Sequence, residues 1–138
     1  MLVQLALHII GYDIWFYISH RMLHTPALWR IHRVHHEKVH PTYWDTYHGH
    51  WAESPFQSLG FLLPFVFRLW SVSPLLVAGA LVNLRGLMRH DERCVWLIGN
   101  HHLIHHLDGR VNFGDYWVDR LIGTQSATGT ERRGFIYL

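Results

Sequence analysis

Apolar residues dominate from Met1 to Ile18, interrupted only by Gln4, His8 and Asp13, and the run leads directly into His20 and His24. Residues 1–24 therefore read as one helix, apolar first and histidine-bearing at its end. Thr25-Pro26 breaks it. Threonine caps a helix and proline fits a first turn, so a second helix is predicted from Ala27 to Val39. Pro41, Thr42 and Gly49 mark an aromatic loop, and Ser54-Pro55 opens a further apolar region. A later helix is predicted from Ser73 to Trp96, ending among the charges Arg85, Arg89, His90, Asp91, Glu92 and Arg93. Gly99-Asn100 punctuates, a short helix with four histidines follows, and Asp108-Gly109 is a turn. Residues 125–138 read as a polar tail, glycine-rich to Gly134. No segment shows strand-like alternation. The pattern predicts an all-α, membrane-associated helical bundle, a single domain over residues 1–138.

The membrane association rests on two segments. Leu59–Val82 is long enough for one span and has Arg68 as its only charge. Pro64 and Pro74 argue against a straight helix there, so a kinked span or a hairpin of two half-spans fits equally. The apolar lead, Met1 to Ile18, lacks the basic start and small-residue cleavage site of a secretory signal, and reads as the end of a membrane helix. Trp15, Trp29, Trp51 and Trp70 stand near the edges of these stretches, as in an interfacial belt.

Histidine spacing carries the chemistry. His20 and His24 form an HxxxH box, His32-Arg-Val-His35-His36 an HxxHH box, and His102-Leu-Ile-His105-His106 a second HxxHH box directly after His101. Residues three and four apart share a helix face, so each box is expected to aim its imidazoles at one point. Eight histidines in such register, among fourteen in 138 residues, exceed what chance spacing explains. Three such fans enclose two metal ions, and imidazole suits iron, zinc or copper. The lone Cys94 excludes an internal disulfide and any CxxC zinc site. A net charge of +2, scattered along the chain, excludes a nucleic-acid-binding stripe.

Longer motifs surround these boxes. Asp13-Ile-Trp-Phe-Tyr-Ile-Ser-His20-Arg21-Met-Leu-His24 is followed by Leu28-Trp29-Arg30-Ile31-His32-Arg33-Val34-His35-His36-Glu37 and His50-Trp51-Ala-Glu53. The third box leads to Asn112-Phe-Gly114 and Asp119-Arg-Leu-Ile-Gly123-Thr124. Over residues 13–124 the chain resembles the fatty acid hydroxylase / sterol desaturase superfamily of membrane di-iron oxygenases, with Trp51 where that family usually has proline.

The resemblance implies two iron ions held by His20, His24, His32, His35, His36, His90, His102, His105 and His106, with zinc able to replace iron on purification. Some members carry a histidine four residues before the position of His90, where this chain has Gly86. His48, His50 and His101 are the candidates to replace it. Asp13, Glu37, Glu53 and Asp91 are candidates to orient ligand imidazoles by accepting their free N–H.

The implied activity is O2-dependent hydroxylation or desaturation of a fatty-acyl, sterol or related lipid. Two charged metals are costly at the bilayer centre, which puts the boxes at or beyond its interface. Arg21, Arg30, Arg33 and Lys38 favour the cytoplasmic face, of the endoplasmic reticulum in a eukaryote or of the inner membrane in a bacterium. The chain has no glycine fingerprint for nicotinamide or flavin and no cysteine set for an iron–sulfur cluster. Electrons are therefore expected from a separate donor, a cytochrome b5 or a ferredoxin with its reductase. Other readings stay open: an inactive or truncated homologue that holds metal in the membrane, a bis-histidine haem bundle, or a zinc hydrolase. The last lacks an HExxH motif.

Overall fold

The computed structural model describes residues 1–136, so the last two positions of the expected tail and domain lie outside the described residues. Every regular element among them is helical. Helix α1 (Leu2–Leu23) is followed by the one-turn α2 (Trp29–His32), α3 (Glu53–Ser58), α4 (Leu63–Val66) and α5 (Val72–Arg89). Then come α6 (Val95–Ile98), α7 (His101–Leu107) and α8 (Tyr116–Ile122).

At about 1.5 Å per residue, α1 is about 33 Å long. Among the described residues it is the one helix long and apolar enough to cross a membrane, by length and composition. One side of it is buried by His8, Phe16, Tyr17, His20 and Leu23. Ile10, Ile14, Ile18 and Met22, four apart, form an exposed apolar stripe on another side.

The apolar stretch Leu59–Val82 forms no single span. It folds as a tight turn Leu59–Leu62, the short α4, an irregular turn, and then α5. Arg68 takes a left-handed conformation (φ 55°) within the irregular turn. Pro64 and Pro74 both fall in first helical turns, where a missing N–H costs nothing. Backbone approach locks this hairpin onto α1. A Cβ on Gly60 would lie 2.7 Å from Tyr12 Cα, and one on Gly11 would lie 2.9 Å from the Gly60 carbonyl.

Two predicted helices are shorter than expected. The second box is not one helix from Ala27 to Val39: α2 stops at His32 and a 3-10 turn spans His35–Glu37. Partners distant in sequence hold its rings, and the tighter turn changes their aim. The helix expected to reach Trp96 ends at Arg89. Asp91 there accepts the backbone N–H groups of Arg93 and Tyr43, an alternative to helical hydrogen bonding.

The expected tail is also structured over its described part. Asn100 and Arg132 exchange hydrogen bonds, and Phe135 N–H donates to Trp96 O at 2.9 Å. Glu131 meets His101. The apolar core cluster is small: Tyr17, Phe113 and Val118. The most deeply buried side chains are instead polar, among them His8, His20, His32, His105, Asn112, Asp115 and Asp119. Such an interior is stable only if its polar groups find partners. Asp13 and Asp115 pair with Arg85, Asp115 also pairs with Arg89, and together they tie α1 and α5 to the start of α8.

Candidate metal centre

All nine histidines assigned to the metals meet at the centre of the fold, in two groups. His20, His24, His32, His36 and His105 form site 1; His35, His90, His102 and His106 form site 2. Within each group one nitrogen from each ring lies within 4.8 Å of those of the others. The boxes do not each converge on one point, as their spacing predicts. His32 and His36 turn to site 1 while His35 turns to site 2; His102 and His106 turn to site 2 while His105 turns to site 1. In the second box, split between α2 and a 3-10 turn, the distant partners of His32 and His35 set this division. In the third box, on α7, the reason is angular. Residues four apart overlap along a helix, whereas the histidine one position away is rotated by about 100°. Each HxxHH box therefore serves both sites, and the sites abut: the rings of His36 and His106 are 4.9 Å apart.

Hydrogen bonds at Nδ1 fix the ring orientations. His35 donates to the His48 carbonyl at 2.9 Å, His90 to Gly86 at 2.8 Å and His105 to Val111 at 2.6 Å. His20 donates to the Phe113 carbonyl. A carbonyl oxygen only accepts, so these rings carry their proton on Nδ1 and leave Nε2 as a bare lone pair. His32 Nδ1 lies 2.6 Å from Glu53 Oε2.

The Nε2 atoms then face one another: His20–His32 2.9 Å, His24–His105 3.0 Å, His36–His105 3.2 Å, His35–His90 3.1 Å and His90–His102 3.0 Å. Between His35 and His90 both nitrogens are acceptors, and two lone pairs so close repel. A cation bound by both removes the conflict. Two imidazoles at right angles on one metal, each at about 2.1 Å, stand about 3.0 Å apart. The residues fit a pair of nitrogen-ligated metals.

Burial prepares the rings for that role. It pushes His24 down to about 4, His36 and His90 to about 3 and His106 to about 2. His32, His35, His102 and His105 are lowered for the same reason. All are neutral at pH 7, the form a metal requires. Burial raises the Glu53 carboxyl to about 7, partly offset by the His50 N–H.

The other expected site residues stand elsewhere. His48 contacts Glu37 at 3.3 Å near the surface, and His50 Nδ1 accepts from the Ala52 N–H at 3.2 Å. His101 lies between Glu131 and Asp119. None of the three belongs to either histidine group. Of the four carboxylates expected to orient imidazoles, Glu53 alone touches one of the nine. Asp13 is drawn to Arg85, Asp91 to Arg93, and Glu37 to His48.

Asp119 was not among the expected site residues, yet it shapes the centre. It accepts from the N–H of Phe113 at 2.9 Å, the N–H of Gly114 at 2.7 Å and the Thr124 hydroxyl at 2.7 Å. Asn112, at φ 56°, spans from the His101 carbonyl to the Ser126 N–H. Together they hold the loop whose Val111 and Phe113 carbonyls orient His105 and His20. Turn residues signal that loop in the sequence, but not which carbonyls face inward.

A cavity of about 130 Å³ adjoins the histidines, lined by His20, His32, His35, His90 and His102 and walled on its apolar side by Tyr12, Phe16, Phe61 and Val82.

The profile of the fatty acid hydroxylase family matches residues 5–124. The Delta(7)-sterol 5(6)-desaturase ERG3A of Gibberella zeae is 30% identical to the chain, covering 88% of it and 37% of that protein. The corresponding enzymes of Candida glabrata and Eremothecium gossypii are 29% and 32% identical, covering 90% and 88% of the chain and 36% and 38% of those proteins. The chain thus spans little more than a third of the length of these three relatives. No solved structure matches it. With the match spanning all three histidine boxes and the loop behind them, the chain belongs to the fatty acid hydroxylase family.

Proposed function

We propose that the nine histidines hold two iron ions and that the chain oxidises an unactivated C–H bond of a membrane lipid with O2, giving an alcohol or an alkene. The single observation that carries this reading is the sorting of the nine rings into two groups, with the bare Nε2 atoms of His35 and His90 facing one another. Reduced iron at these sites would supply the electrons that activate O2. The chain's residues position and protect. The Val111, Phe113, His48 and Gly86 carbonyls and the Glu53 carboxylate hold the rings, while Phe16, Phe61 and Val82 offer the substrate a dry wall. The sterol desaturases among the relatives make a sterol the first lipid to test.

The apolar stripe of α1 sits in the bilayer, and the histidine centre, which includes His20 in the last turn of α1, gathers at the C-terminal end of that helix on the cytoplasmic face. Electrons arrive from a separate carrier. Arg21, Arg30, Arg33 and Lys38 are exposed and offer a cationic face to an acidic donor such as cytochrome b5 or a ferredoxin. Arg89 is bound to Asp115 inside the fold and is not part of that face. Trp29, 38% exposed, packs 5.3 Å from the His24 ring and 5.6 Å from His36, a short route from this face to site 1.

The test is elemental analysis of protein prepared reduced and iron-supplied, followed by incubation with membrane sterols and fatty acyl lipids, O2, and a cytochrome b5 with its reductase. Two metals per chain and a donor-dependent new lipid product are expected. One metal or none would overturn the di-metal reading, and lipids left unchanged would overturn the oxygenase.

A further inference from the structure

Site 1 gathers five imidazoles and site 2 only four. The difference has a local cause. Wherever the chain has two of these histidines four positions apart, both reach the same site: His20 with His24, His32 with His36, and His102 with His106. On α5, His90 stands alone, because the residue one turn before it is Gly86. Nothing fills that gap. A Cβ at Gly86 would meet a single atom within 4 Å, Thr46 Cγ2 at 3.7 Å, an ordinary contact. Glu53, the nearby carboxylate, is engaged with His32. Gly86 lines the same cavity as His35, His90 and His102, three of the four site 2 rings. Site 1 shows that cavity only His20 and His32.

We infer that site 2 keeps an open coordination position beside Gly86, facing the cavity, where a small exogenous ligand binds the metal directly. Site 1 is the more filled of the two: five imidazoles leave a six-coordinate metal one further position at most, and only His20 and His32 of its rings line the cavity. The inference rests on the two-metal reading above. A metal enclosed by protein ligands is structural in behaviour, whereas one with a free position takes up outside molecules. The cavity walls give the open position its use: Phe16, Phe61 and Val82 would keep an apolar substrate within reach of whatever binds there.

Cobalt(II)-loaded protein titrated with azide tests this through the visible spectrum, without turnover. The chain should hold two cobalt ions and bind one azide. Gly86→His, which supplies the missing imidazole, should weaken azide binding at least tenfold while two cobalt ions remain bound. Gly86→Leu should block it by bulk, and Gly86→Ala should leave it intact. Two azides per chain, none, or equal binding in the native, histidine and leucine forms would overturn the open position while leaving the two-metal reading intact. Fewer than two cobalt ions in the native chain would overturn both. A chain that binds two cobalt ions and one azide yet oxidises no lipid would refute the proposed activity and leave this inference standing.

Discussion

His105 is fully buried, and its Nε2 faces histidines of both other boxes, His24 at 3.0 Å and His36 at 3.2 Å. Replacing it with alanine opens site 1, as replacing His35 opens site 2. His35→Ala, which leaves three imidazoles in site 2, should bind about one metal in place of two, by elemental analysis. His105→Ala, which leaves four in site 1, should hold its metal more weakly in chelator competition, and both should lose turnover. His40→Ala is the control: that residue is exposed and outside both groups, and two metals should remain. His8 belongs to neither class. Its spacing marks it as dispensable, but it is fully buried and donates to the Phe61 carbonyl at 2.9 Å. His8→Ala should leave metal content unchanged and destabilise the fold by about 2 kcal/mol, measured by denaturant unfolding. For Glu53, removal of the partner that orients a ligand imidazole typically costs 10–100-fold in metal affinity. Glu53→Ala should show such a loss in chelator competition. Glu53→Gln, which keeps an acceptor for His32 Nδ1, should recover part of it.

The elements show how little of this centre depends on long regular helices. Only α1 and α5 are long; the rest are turns of helix whose ends aim side chains. The 3-10 turn at His35–Glu37 and the early stop at Arg89 depart from the apolar periodicity because side-chain hydrogen bonds outcompete another helical turn. The contact of α1 with the Leu59–Leu62 turn is the tightest test of packing. Gly60→Ala would drive a methyl group against the backbone of Tyr12 and the Gly11 carbonyl. Overpacking of this kind costs about 1–3 kcal/mol. The variant should unfold at lower denaturant concentration, whereas Gly79→Ala, with open space around it, should not.

The whole molecule buries imidazoles where most proteins bury hydrocarbon, and its response to acid follows. In the unfolded chain these rings take a proton near 6.5; folded, His24 does so near 4 and His36 and His90 near 3. The unfolded state thus binds more protons in this window. Stability should be full above about pH 7 and fall as pH drops from about 6.5 towards 3. Glu53 acts in the opposite sense, since its carboxyl keeps a proton up to about 7 when folded, but one group does not offset several. Bound metal, which also requires neutral imidazole, should steepen the loss. Thermal unfolding followed from pH 8 to 4, with and without metal, checks both slopes; a flat profile would contradict the burial account. Charge governs the outer surface too. If Arg30 and Arg33 receive the donor, reversing both to glutamate should slow cytochrome b5-driven turnover and flatten its salt dependence, with dithionite-driven reduction unchanged.

Helical content, the grouping of histidines and their aptness for metal follow from the sequence by itself, because the three- and four-residue spacing of imidazoles is a property of the local helix. The motifs Asp13 to His24 and His102 to Thr124 also carried the family. What the spacing left undecided is which metal each ring serves. His35 and His36 are neighbours in the chain and belong to different sites, a division set by the His48 carbonyl, which holds His35, and by the turn that α2 does not continue. The partners of Asp13 and Asp91 were likewise undecided: arginines drew both carboxylates away from the histidines. Local periodicity fixes the direction of a side chain relative to its own helix. Its partner depends on contacts distant in sequence, such as the 93 residues between His20 and the Phe113 carbonyl, and these exist only once the chain has folded.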